Sequence, residues 1–128
     1  MKLKHIKNIS LLIILVMLLS YSIIPVSAAS DYYESTYNGF NYDCRSEFTS
    51  SSGAYGEMSY AGISRICVEV EYELYDFYYR VYATGSVTST FVRSYAYAGV
   101  AGNIYQLFEW SNHTYSISFN TVYFVGLS

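Results

Sequence analysis

The strongest pattern in the chain is an alternation. Ile66, Val68, Val70, Tyr72 and Leu74 fall on one side of an extended backbone, and Cys67, Glu69, Glu71 and Glu73 on the other. This is the pattern of a half-buried strand. Past Tyr75 the phase inverts, because Phe77, Tyr79, Val81 and Ala83 occupy the odd positions that held the glutamates. A side-chain period of two cannot change face without a turn or a bulge, so a break is expected near Tyr75 and Asp76. A helical reading competes: Val68, Tyr72, Tyr75, Tyr79 and Tyr82 have helical spacing, and Asp76 with Arg80 forms an i,i+4 pair. Composition favours strand. Of the seventeen residues from Ile66 to Tyr82, ten are β-branched or aromatic and five are strong helix formers.

Shorter patterns flank this stretch. Ser30 to Asn41 is rich in tyrosine and reads as an edge strand or a loose segment, with a turn signal at Asn38-Gly39. From Asn41 to Phe48, Tyr42, Cys44, Ser46 and Phe48 alternate with Asn41, Asp43, Arg45 and Glu47, a strand. Thr49 to Gly53 reads as a loop, Ala54 to Tyr60 as a short strand or irregular segment, and Ala61-Gly62 as a turn. Val87 to Tyr97 reads as one strand covered on both faces, since neither face is strongly polar. Ala98 to Asn103 is a glycine-bounded loop, Ile104 to Trp110 a further strand, and Ser111 to Thr114 a turn. Thr114 to Phe119 and Val122 to Val125 then form a hairpin about Asn120-Thr121. Six to eight short strands separated by regular turn signals predict an all-β fold: a single-domain antiparallel β-sandwich, or a partly open barrel, over residues 30–128.

The first 29 residues read differently. Lys2, Lys4 and Lys7 precede an apolar run from Ile9 to Leu19, and Pro25 to Ala29 supplies small residues for cleavage after Ala28 or Ala29. This predicts a secretory signal peptide. The run is shorter than the about 18 to 20 residues of a spanning helix, so no stable membrane insertion is expected after cleavage, and an uncleaved anchor is the alternative. Removing the leader takes three lysines. Four arginines then face ten carboxylates, a net charge of -6 with no lysine left. Such a surface repels phosphate backbones and anionic lipid, which argues against nucleic-acid binding and polybasic membrane adsorption.

Export changes the reading of the cysteines. In an oxidising compartment Cys44 and Cys67 are expected to pair as a disulfide closing a loop of about two dozen residues, worth roughly 3 kcal/mol. No C-x-x-C spacing suggests zinc. Glu69, Glu71 and Glu73, with Asp76 after them, form a weak calcium candidate; a charged face that discourages sheet-to-sheet pairing is the commoner use of such a ladder. His113, in the expected turn and inside an Asn112-His113-Thr114 sequon, is the one histidine available to a small secreted hydrolase, but no nucleophile elbow accompanies it. No glycine-rich phosphate loop is present, and no cofactor is expected.

Sixteen of the seventeen tyrosines lie beyond the leader. Aromatics suit strands, and tyrosine buries a ring while its hydroxyl stays wet. A domain of this size cannot hide all of them, so a contact surface is expected at Tyr75, Phe77, Tyr78, Tyr79, Tyr82 and Trp110. In its size, leader and strand-rich Tyr/Ser/Gly composition the chain resembles small exported proteins of Gram-positive bacteria, bacteriocins of the lactococcin 972 type among them. The likeness covers the general plan and no diagnostic motif. It implies a secreted β-sandwich acting on the envelope of competing cells. The sequence therefore predicts an extracellular, non-enzymatic protein that binds a cell-envelope glycan or protein. An exported bacteriocin-like toxin is the second reading and a small hydrolase the third.

Overall fold

The alternating stretch lies at the centre of a sheet. In the computed structural model, which describes residues 26–128, eight strands follow in order: β1 (Ala28–Tyr37), β2 (Phe40–Thr49), β3 (Gly53–Tyr60), β4 (Ile66–Asp76), β5 (Val81–Thr88), β6 (Tyr95–Ala101), β7 (Gln106–Ile117) and β8 (Asn120–Leu127). All pairings are antiparallel. The first sheet runs β1-β2-β3-β6 and the second β5-β4-β7-β8, and the two face each other as a β-sandwich. The predicted leader lies outside the described residues up to position 25, and the expected cleavage point at Ala28 or Ala29 falls on the first rungs of β1.

The phase inversion is a hairpin. Tyr75 pairs with Tyr82 and Asp76 with Val81, and residues 77–80 turn the chain. Ile66, Val68, Val70 and Leu74 point inward from β4 and pack against Cys44, Phe48 and Met58 of the first sheet and Phe108, Tyr115 and Ile117 of β7. Each large side chain so buried contributes about 1.5–3 kcal/mol.

A polar tie crosses this core. The Tyr115 hydroxyl, fully buried, donates to the Arg45 carbonyl of β2 (2.7 Å) and lies 2.6 Å from Ser46 Oγ. Its one proton goes to the carbonyl, so Ser46 is the donor in the second bond. Gly56 of β3 leaves room for it: a Cβ there would come within 2.7 Å of the Tyr115 hydroxyl and 3.0 Å of Val68.

Several boundaries differ from those read in the sequence. Val87 to Tyr97 is not one strand. β5 ends at Thr88, where the Ser89 hydroxyl accepts the Val68 N–H, and Thr90 and Ser94 adopt left-handed φ values of 56° and 68°. Local side-chain bonding of this kind competes with the ladder, and the chain crosses to the other sheet. Ala98 to Ala101, expected as loop, belongs to β6, with Gly99 opposite Tyr55. Ser111 to Thr114, expected as a turn, is mid-strand in β7. A register shift opposite Glu73 and Leu74 displaces the alternation, and the inward side chains there, Ser111 and His113, are polar. The last turn is Ser118-Phe119, with φ of 50° and 67°, rather than Asn120-Thr121. Asn38-Gly39 turns as expected, with φ of 50° and 80°.

The expected disulfide is overturned. Cys44 and Cys67 are both free and buried. Cys44 points into the core from β2. Cys67 occupies an odd position of β4, facing away from the core beneath Ser89, whose Oγ is 3.9 Å from its sulfur. Residues on different sheets with Cβ vectors pointing the same way cannot be bridged.

Two outcomes follow from this packing. Intact-mass analysis after alkylation should show two modified thiols on unfolding in denaturant without reductant, and little reaction in the native state; an unalkylated chain lighter than the reduced one by two hydrogen atoms would restore the bridge. Gly56→Ala should lower the free energy of unfolding by about 1–3 kcal/mol in a denaturant titration, since backbone and a buried hydroxyl must move for one methyl.

Candidate functional site

The β4–β5 hairpin carries five of the six aromatics singled out in the sequence. Tyr75 meets Phe77 and Tyr82 edge-on, each at 4.9 Å between ring centres, and Tyr78 meets Tyr79 at the same distance. The neighbouring β6–β7 loop adds Tyr105, 5.7 Å from Tyr78, and Ile104, which is 90% exposed. Phe77, Tyr78, Tyr79, Val81 and Tyr82 are all exposed too. One end of the sandwich thus presents a nearly continuous apolar surface.

The backbone beneath it is well tied. Asp76 is buried, and its Oδ1 accepts the N–H groups of Tyr78 (2.9 Å) and Tyr79 (3.0 Å). The Phe77 N–H donates to the Tyr105 carbonyl, joining the two loops at 2.8 Å. Asn103 Oδ1 accepts the Tyr105 N–H, and Gln106 closes the same loop on Asn103. Exposed rings on bonded loops lose little conformational freedom on contact with a partner.

Trp110 stands apart from this tip. It lies on the outer face of the second sheet, opposite Glu73 and two rungs from the Tyr75–Leu107 pair. With Glu71, Thr84 and Ser86 it lines a shallow depression of about 320 Å³. A wider acidic depression of about 640 Å³ on the first sheet, near Glu34, Asp43 and Ser59, contains none of the expected residues. Burial and the neighbouring Glu34 raise the Asp43 carboxyl above its ordinary range.

The carboxylate ladder does not close on an ion. Glu69, Glu71 and Glu73 face outward, while Asp76, at an even position, turns inward to cap the hairpin. Among the described residues no three His, Cys, Asp or Glu side chains converge as a metal site. Parity again is the reason: an even position cannot join three odd ones on one face.

His113 sits inside the sandwich, without solvent exposure, its Nε2 2.8 Å from Ser111 Oγ. Nδ1 meets no partner. This serine and histidine resemble half of a catalytic pair in spacing, yet both are sealed between the sheets. Burial lowers the His113 pKa to about 4, with the Asp31 carboxylate pulling weakly the other way, so the ring is neutral at pH 7. Asp31 instead accepts the Tyr123 hydroxyl, whose pKa is pushed up to about 12 first by that bond and then by burial.

The sequence pattern does not mark Ile104, Tyr105 and Val81, all exposed, as surface residues. Ile104 and Tyr105 follow Gly102-Asn103, a turn signal that could have placed them in a loop and not a strand. Comparison of the chain with protein-family models, with curated proteins and with solved structures finds no match.

The buried imidazole makes stability depend on acid. Its folded pKa lies below the unfolded value of 6.5, so the unfolded chain takes up the extra proton. The contribution is complete above about pH 6.5 and is lost as pH falls through about 4, a total of about 3 kcal/mol. Denaturant titrations across this window should show that slope in the native protein, with a shallower one in His113→Leu.

Proposed function

We propose that the protein is an exported, non-enzymatic binding module whose aromatic tip docks a partner in or near the cell envelope. The observation that carries this reading is the gathering of Phe77, Tyr78, Tyr79, Tyr82, Ile104 and Tyr105 at one end of the sandwich, exposed and on tied loops. Rings held in this way supply contact area at low entropic cost, and tyrosine combines an apolar face with a hydroxyl that bonds to sugars or peptide groups. The outward glutamate ladder continues the same side of the molecule with hydrogen-bond acceptors. Export rests on the leader pattern, and the acidic balance directs the tip away from anionic polymers.

Purified protein should sediment with cell walls or be retained by a glycan or envelope-protein panel. Tyr78→Ala and Tyr79→Ala should each weaken that binding about 30-fold, the effect of losing about 2 kcal/mol at a contact hot spot, while leaving the melting temperature close to the parent's because both rings are exposed. Absence of binding to walls, glycans and envelope proteins alike would refute the reading.

A further inference from the structure

The two lateral edges of the sandwich are built differently. On one side β1 and β8 are clasped: the Tyr33 ring stacks on Tyr123 at 4.1 Å, the Tyr123 hydroxyl donates to Asp31, and β1 carries Asp31 and Glu34. Charge and a cross-sheet tie are common ways of blunting an edge. On the other side lie β5 and β6, each last in its sheet. Neither the eight residues of β5 nor the seven of β6 include Asp, Glu, Lys, Arg or Pro. Their inward side chains are small and apolar: Val81, Ala83, Gly85 and Val87 on β5, and Ala96, Ala98 and Val100 on β6. Val81 and Ala83 remain exposed although they face inward, so the core is incompletely covered at this edge. The outer backbone groups of β5 meet no backbone partner among the described residues.

We propose that this edge pairs with the same edge of a second copy of the chain. An edge strand is completed by another strand, and here two stacked edges stand side by side, one in each sheet. Their partner must itself offer two strands about 10 Å apart, which an isolated peptide does not. A second copy does, through a two-fold axis that joins β5 to β5 and β6 to β6 as an isologous contact. The pairing sets uncharged strand against uncharged strand and keeps Glu69, Glu71 and Glu73 one strand back from the seam on each side. It also brings a second set of small inward side chains over Val81 and Ala83.

The symmetry has a consequence for binding, which rests on the reading of the aromatic tip given above. Antiparallel pairing reverses the strand direction between copies. The tip at the start of β5 in one copy then lies at the opposite end of the dimer from its mate. The dimer is a two-headed linker that joins two partners, and not a device for gripping one surface twice.

The test uses the protein expressed with its own leader and recovered from its host. Sedimentation velocity at about 100 μM, where contacts of micromolar Kd are occupied, should give twice the chain mass. Thr84→Lys/Ser86→Lys, both on exposed outer positions of β5, should return it to monomer with an unchanged circular-dichroism spectrum and unchanged tip binding. Because both native thiols are buried, a cysteine introduced by Thr84→Cys or Ser86→Cys is the accessible one, and mild oxidation should link the dimer covalently through it, whereas Ser59→Cys on the opposite sheet should still dimerise but give no covalent link. A chain that remains monomeric at this concentration, a dimer that survives the double lysine variant, or open-ended polymers overturn the proposal. Loss of cell-wall binding by a protein that still dimerises would instead count against the tip, so the two readings fail separately.

Discussion

Tyr115 holds the sandwich in register. Its hydroxyl reaches from β7 across the core to the backbone of β2, and the Ser46 hydroxyl completes it. A buried hydroxyl without partners would cost about 1–3 kcal/mol, comparable with what its ring contributes by burial, so the sheet separation that satisfies it is favoured. Gly56 exists in this arrangement as the missing side chain that makes the approach feasible. The neutral His113 and Ser111 lie in the same polar layer, and the apolar side chains pack around it.

The tyrosine excess divides by direction. Inward tyrosines act as ties: Tyr42 donates to the Val122 carbonyl, Tyr60 to the Tyr37 carbonyl, and Tyr123 to Asp31, each joining strands that are not neighbours in a ladder. Their rings fill a core only two layers thick, and their hydroxyls find partners at its margins. The tyrosines of the β4–β5 hairpin have no such partners across the core and stand in solvent. One residue type thus serves two purposes, and strand parity and position along the strand separate them.

Parity explains what could be read in the sequence. The Ile66–Leu74 alternation placed β4 and its inward face correctly, and the inversion at Tyr75 marked the hairpin, because apolar and charged residues differed sharply there. Where the inward face is polar the signal vanished: Ser111 and His113 looked like a turn, although they are the centre of the longest strand. The expected Cys44–Cys67 pairing rests on compartment and count alone, whereas the alternation sets Cys67 among the outward glutamates and Cys44 among the inward Tyr42, Ser46 and Phe48. Of the aromatics expected at the surface, Phe77, Tyr78, Tyr79 and Tyr82 are exposed and lie close together in sequence on one hairpin. Tyr105 and Ile104 reach the tip only through the β6–β7 connection, a tertiary juxtaposition that no spacing encodes.

The strand order also governs how the chain reaches this state. Hairpins β1-β2, β2-β3, β4-β5 and β7-β8 form from near neighbours, but the ladders of β3 with β6 and β4 with β7 join segments far apart in sequence. Closing those loops demands entropy before any contact rewards it, which places folding in the milliseconds-to-seconds range of non-local β topologies. The chain's sole proline, Pro25, precedes β1, so the folded strands contain no prolyl bond whose isomerisation would add a phase of tens of seconds. Assembly is therefore limited by the search for long-range partners, and the interval before β6 and β7 dock is when the uncharged strands are most open to pairing with a neighbouring, equally unfinished chain.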